Sequence, residues 1–479
     1  MKHTLRALLA LGLLAGCYLL SLLVVAGLAL VGYAFLRMGL VGGVLVLPFL
    51  LGLFVLYAVG TALLASTRAG REVPTGMLLT PDAQPELWSR VRALADEVGT
   101  RPPDEIRLVP DVNASVTEGA KLLGLASGVR RMTIGVPLLL GLTRGQLVAV
   151  LAHELGHYGG RHTTLATATY RGGEALRRVL HEVGEESAAG RLFAGYARLY
   201  FRVSREVSRR QELEADETAT RIAGRDVTIA ALRELAPLAT AWELFGSGYL
   251  GPAQRLGLRP VSVAEGFLDL LENPERRSWL DTVREHPGER PATSFDSHPT
   301  TSRRVAILNT LSDVARERDE VPGYAVLADP DATMTAFFAT WYGEDSGLEP
   351  ADWQRIGSAL SQHHVESAAA DLARAMRRAP WRKEREVTFD ALAAELRSGR
   401  GPQLADLASR TGSTAEKRAL AGVLVGSLVG ATLVQHGRAS YQLDWAGSGR
   451  LVDRSGARFD LAVLADRALG SDAGVAELT

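Results

Sequence analysis

Cysteine is all but absent from this chain, with one, Cys17, in 479 residues. That excludes an intramolecular disulfide framework and any zinc or iron–sulfur site built from several thiolates. An excess of positive charge is missing too. Lys and Arg number 53 against 54 Asp and Glu, a net charge of -1, so no global basic field exists to hold nucleic acid. The composition of a disordered chain is also lacking, since hydrophobic residues make up 47% and charged residues 22%. A further absence is local: Ala7 to Leu36 and Met38 to Thr67 are runs of 30 residues each without a charged side chain.

Each run exceeds the ~20 residues that cross ~30 Å of hydrocarbon. Arg37, Met38, Gly39 and Leu40 lie between them, which predicts a two-helix transmembrane hairpin (about 7–36 and 38–67) with a very short turn. Residues 1–70 hold Lys2, Arg6, Arg37 and Arg68 and no acid, leaving 49 basic and 54 acidic residues for the remainder. Positive residues at both outer ends, Arg71 included, put the N-terminus and everything after the hairpin on the cytoplasmic side. The expectation is a multi-pass cell-membrane protein in contact with the lipid bilayer, its larger part cytoplasmic. Leu14-Ala15-Gly16-Cys17 opens an alternative, an exported lipoprotein lipidated at Cys17. Against it, the apolar run continues from Tyr18 to Leu36, whereas a signal peptide's apolar region ends at its cleavage site.

Beyond the hairpin the patterning is mixed. Ile106–Val109, Asn113–Thr117 and Met132–Val136 have short-strand character, bounded by Pro, Gly and Asp. Thr143-Arg144-Gly145-Gln146 is a capping box, and the apolar run Leu147–Leu155 predicts a helix after it. That helix carries His153-Glu154-Leu155-Gly156-His157, an H-E-x-x-H. Four residues is just over one turn, so both imidazoles leave the same face and can share one metal ion. Glu154, beside the first histidine, is placed to take a proton from an attacking water and deliver it to a leaving amine. Zinc, one per chain, suits this chemistry as a redox-inert Lewis acid.

A catalytic zinc needs a third protein ligand, and two residues compete for the place. His162 falls one residue short of the longer H-E-x-x-H-x-x-G-x-x-H pattern, whose last position here is Thr163. Glu212-Leu213-Glu214-Ala215-Asp216, in a helical pattern running to about Ala223, offers Glu212 and Asp216 one turn apart. Glu212 can ligate the metal while Asp216 accepts the outer N–H of a ligand histidine and fixes its tautomer. Ala215 lets the two helices approach closely. On spacing alone this is an ordinary charged helix face; its combination with H-E-x-x-H favours Glu212.

With these motifs in order, the chain resembles the membrane-anchored zinc metallopeptidases of the HtpX and CAAX prenyl protease type. The resemblance rests on the apolar hairpin, on His153 to His157, and on Ser208 to Asp216, which fits that family's E-x-x-A-D. Ser297-His298-Pro299 followed by Arg304-Val305 is a third match. It covers roughly residues 1–310 and implies a zincin-type core with His153, His157 and Glu212 as zinc ligands and Glu154 as general acid/base. It further implies that His298 and Arg304 lie near the metal, where a donor stabilises the oxyanion. Pro110–Ala114 resembles the family segment whose edge strand aligns substrate. The chain departs from the family between the metal motifs: residues 158–211 carry Arg171, Arg177, Arg178, Glu185, Glu186, Arg191, Arg198 and Arg202, so no span fits there. Soluble helices capping the cleft are expected instead, and a prenylated substrate less so.

Residues 351–411 are patterned as helices with charged faces, and Arg374, Arg377, Arg378, Arg382, Lys383 and Arg385 surround Trp381 as a solvated helix end. Ala419–Gln435 has 17 uncharged residues, with Gly422, Gly426 and Gly430 on one face. It is short for a span and predicts a buried helix rather than a third crossing. Tyr441–Trp445 and Gly449–Val452 suggest a β-hairpin. The expected architecture is mainly α with a small β-sheet (α+β): a hairpin at 1–70, a metallopeptidase domain at 71–311 and an accessory region at 312–479. The expected function is zinc-dependent hydrolysis of proteins or peptides, unfolded membrane proteins among them, in membrane-protein quality control. A catalytically silent membrane adaptor on the same fold is the alternative, disfavoured because an adaptor has no use for Glu154.

Overall fold

The computed structural model describes residues 76–121, 126–158, 188–286, 300–312 and, with short gaps, 316–465. Seven further positions, Gly12, Ala26, Gly27, Leu30, Tyr33, Ala34 and Arg37, are helical and exposed. The rest of the expected hairpin, Cys17 included, lies outside the described residues. Among those described, no helix is long and apolar enough to cross a membrane.

In chain order the first elements are β1 (Met77–Leu79), α1 (Pro85–Val98), β2 (Glu105–Val109), β3 (Ala114–Lys121) and β4 (Ala126–Gly135). Helices α2 (Val136–Gly141), α3 (Arg144–Gly156), α4 (Ala188–Ala223), α5 (Arg225–Phe245) and α6 (Gly251–Arg255) follow. Next come β5 (Leu258–Pro260), α7 (Val263–Glu272), α8 (Pro274–Glu285), α9 (Thr301–Leu308) and α10 (Pro330–Tyr342). The last are β6 (Glu349–Ala351), α11 (Trp353–Arg378), α12 (Phe389–Arg397), α13 (Gly401–Ala408), α14 (Thr414–Gln435), β7 (Ala439–Gln442) and β8 (Arg450–Asp453). The chain is thus mainly helical with small sheets, an α+β architecture. It divides into two compact units, Met1–Ala239 with Thr282–Thr333, and Thr240–Asp281 with Met334–Thr479.

In the first unit the sheet order is β1-β2-β4-β3, with β2 and β4 parallel and the outer pairs antiparallel. Ile106, Leu108, Met132 and Ile134 alternate along β2 and β4 and are fully buried, the period-2 pattern of strands covered on one face. One expected boundary moves. Val136 opens α2 instead of closing β4, because Pro137 lacks an N–H and its fixed φ suits a first helical turn. Gly135 ends β4 where a Cβ would lie 2.0 Å from the Asp111 carbonyl oxygen, so glycine is required there. Helix α3 starts as its capping box dictates: Thr143 Oγ1 accepts from the Gln146 N–H at 3.3 Å, and the Gln146 side chain accepts from the Thr143 N–H at 2.9 Å.

The second unit has its own core. Phe245 sits among Trp242, Phe267, Trp353 and Trp445, with ring centroids 5.4–6.0 Å from its own. Helix α14 contributes Ala421, Leu424, Val425 and Val429 to a buried cluster shared with Leu372, Met376, Leu392 and Leu404. The segment 419–435 therefore packs one face into this core, while Leu420 and Val423 on it stay exposed. Strands β7 and β8 pair antiparallel as the expected hairpin. At Gly266 a Cβ would lie 2.1 Å from the Trp353 ring. Gly266→Ala should therefore force that ring out of place and cost about 1–3 kcal/mol. Thermal unfolding followed by near-ultraviolet dichroism of the tryptophans checks this; an unchanged transition would show that the ring yields freely.

Candidate active site

The site lies in the first unit, where α3 packs along α4. Their approach is close because Gly156 on α3 has no Cβ: one would lie 3.1 Å from Ala215 Cα on α4. This brings the end of α3, with His153, Glu154 and His157, against the turn of α4 that carries Glu212 and Asp216.

The His153 and His157 rings stand edge to face with centroids 4.8 Å apart. The Glu212 carboxylate bridges them, with one oxygen 3.7 Å from His153 Nε2 and the other 3.7 Å from His157 Nε2. Glu154 is half-buried beside them, and donor atoms of His153, Glu154 and His157 all fall within 4.8 Å of one another. His153, His157 and Glu212 are buried, Glu212 to 2% exposure. Two donors at 2.0–2.2 Å from a tetrahedral zinc stand roughly 3.3–3.6 Å apart. The observed 3.7 Å is within a few tenths of that, so these residues fit one such ion. The donor chemistry fits as well: a buried carboxylate facing two imidazole nitrogens is a set that a divalent cation neutralises.

Asp216 supports this set from behind. Its carboxylate lies 3.0 Å from His153 Nδ1, the hydrogen bond that leaves Nε2 as the donor atom toward the centre. Arg304, on α9, closes on the same carboxylate from the other side, Nε donating to Oδ2 at 2.9 Å and Nη2 to Oδ1 at 2.5 Å. Burial pushes the Asp216 carboxyl up, but the bonds from Arg304 and His153 outweigh it and hold the group far below the usual carboxylate range. Burial likewise opposes the charge of Arg304, and the Asp216 partner more than restores it. Arg304 thus reaches the centre both through Asp216 and directly, its Nη2 lying 3.2 Å from His153 Nδ1 and 3.5 Å from Nε2. Sequence reasoning placed Arg304 near the metal only through a family motif; a contact 88 residues away along the chain leaves no local signature. His298 and His162 lie outside the described residues, as do 159–187, where capping helices were expected; 188–223 is one helix.

Asp216→Asn tests this support. It removes the charge that balances a buried guanidinium, and breaking such a pair costs roughly 3–5 kcal/mol. It also frees the His153 tautomer, which should weaken metal binding about 10- to 100-fold. Urea unfolding and zinc competition against a chelator read the two effects separately; unchanged zinc affinity would show that Asp216 serves stability alone.

Tyr158 is a residue that sequence reasoning missed. It follows the H-E-x-x-H directly, and its hydroxyl donates to the Val116 carbonyl of β3 at 2.8 Å. Nothing in its local sequence distinguishes it from an ordinary helix-end tyrosine.

With this geometry in place, comparison with known proteins gives the class. Residues 81–312, a little under half of the chain, match the model of peptidase family M48, a metallopeptidase family. The motif-based resemblance therefore holds: this is an HtpX-like peptidase domain. The chain is similar to the "Protease HtpX homolog" of Thermococcus sibiricus (strain DSM 12597 / MM 739), with 27% identity over 236 residues, covering 44% of this chain and 78% of that protein. No solved structure matches.

Proposed function

We propose that the chain is a membrane-anchored zinc endopeptidase in which His153, His157 and Glu212 hold one zinc ion and Glu154 is the general acid/base. The observation that carries this reading is the Glu212 carboxylate set 3.7 Å from Nε2 of both histidines, with Glu154 alongside. Zinc, when bound, supplies a redox-inert Lewis acid that draws the pKa of water towards ~7. Glu154 takes the proton of the attacking water and passes it to the departing amine. Asp216, held by Arg304, keeps His153 in the ligating tautomer; His298 is the proposed donor to the oxyanion.

Strand β3 supports a peptide substrate. It pairs with β4 alone among the described residues. The Asn113 carbonyl accepts from the Gly135 N–H, and the Arg130 carbonyl accepts from Asp104 on the β2 side. Along β3, odd-numbered residues therefore turn their backbone groups to β4, while Ala114 and Val116 turn theirs outward, where an extended peptide can add as a strand. The apolar runs at 7–36 and 38–67 motivate the membrane anchor and the cytoplasmic placement of the site. Unfolded or damaged membrane proteins are the substrate class proposed, in quality control.

The test is incubation of the detergent-purified full chain with an unfolded protein, followed by mass spectrometry of the products. New termini inside the substrate sequence are expected. An intact substrate alongside a zinc-loaded chain would favour the adaptor reading.

A further inference from the structure

We infer that Tyr158 is a register stop on the substrate-pairing edge, a specificity-determining residue whose hydroxyl occupies the Val116 carbonyl. The inference rests on the peptidase reading and says how far along β3 a substrate can pair. The backbone groups of Ala114 and Val116 both face outward, as the bonding of Asn113 to Gly135 and of Asp104 to Arg130 requires. An extended peptide adding to this edge meets a full donor–acceptor pair at Ala114. Two residues on, at Val116, the outward carbonyl already accepts from Tyr158 Oη at 2.8 Å. The ladder is thus cut short by a side chain rooted in the residue after His157, so the end of the pairing surface is fixed to the helix that carries the candidate metal ligands.

The tyrosine is well held for this task. Its backbone carbonyl accepts from Thr100 Oγ1 at 3.0 Å, and Thr100 in turn accepts from Arg130 Nη1 at 3.0 Å. The Arg130 guanidinium lies over the Tyr158 ring, 4.9 Å from its centroid. The buried Glu118 carboxylate, 3.4 Å from Arg130, holds that guanidinium from β3. None of these contacts uses the hydroxyl. Tyr158→Phe therefore keeps the ring, the cation over it and the backbone bond, and removes the group on Val116.

The experiment measures kcat and KM of the full-length wild type and Tyr158→Phe on peptides lengthened residue by residue to either side of one scissile bond. For the wild type, KM should stop falling once the peptide passes the pair at Ala114. For Tyr158→Phe, peptides that reach Val116 should gain one further step, KM falling about 2- to 12-fold as one hydrogen bond is added, with kcat unchanged. The shortest cleaved peptide should be turned over equally by both, which also reports that the variant is folded. Identical length dependence in the two proteins would overturn the inference. Lost turnover of the shortest peptide would overturn it as well, by making Tyr158 a brace for the site. A wild type that cleaves none of the peptides would remove the peptidase reading, and this inference with it.

Discussion

Glu154→Gln is expected to retain one zinc per chain and to lose hydrolysis by about 10²–10⁴-fold, the usual worth of a positioned general acid/base. The amide is nearly the size and shape of the carboxylate, so α3 keeps its packing against α4 and both histidines keep their places. What it lacks is basicity: it accepts a hydrogen bond from water but cannot take the proton. The loss should therefore fall on kcat, leaving KM nearly unchanged, because the role proposed for Glu154 is on the reacting water and not on substrate binding. Turnover of a quenched-fluorescence peptide with zinc content measured on the same sample checks both halves. Wild-type turnover in this variant would sink the mechanism while leaving the metal site standing.

Glu212→Ala acts on the step before. Removing the carboxylate 3.7 Å from both Nε2 atoms leaves two imidazoles and no protein anion among the proposed ligands. Zinc affinity should fall by more than the ~10- to 100-fold attached to a supporting group such as Asp216, because a direct ligand is lost. Activity at limiting zinc should vanish with it. Competition titration against a chelator is the measurement. Unchanged affinity would mean that the third ligand lies elsewhere, and His162 would be the first residue to examine. The pair of variants separates two failures: Glu154→Gln loses chemistry with the metal kept, and Glu212→Ala loses the metal itself.

Local rules made much of this site readable in advance. The capping box Thr143–Gln146 placed the start of α3, and helical spacing put His153 with His157, and Glu212 with Asp216, on single faces. Alternation along 106–109 and 132–134 marked the two central strands. The parts that escaped are those decided by pairing between distant segments. The outward facing of Ala114 and Val116 depends on which residues of β3 bond to β4, and period-2 patterning cannot choose between the strand's two hydrogen-bonding sides. The clasp of Arg304 on Asp216 and the bond of Tyr158 to Val116 join residues far apart in the chain. The excursion of 240–281 into the second compact unit is carried by contacts such as Gly266 under Trp353, where a small residue meets a large one with no periodicity to announce it.

The central claim is that one zinc, held by this set, makes the chain a peptidase. The most direct test strips the full-length chain of metal and titrates zinc back while following hydrolysis of an unfolded protein. No cleavage is expected in the metal-free chain, with a linear rise that saturates at one zinc per chain. Cleavage that persists without metal, or a chain that stays inert with one zinc bound, would contradict it.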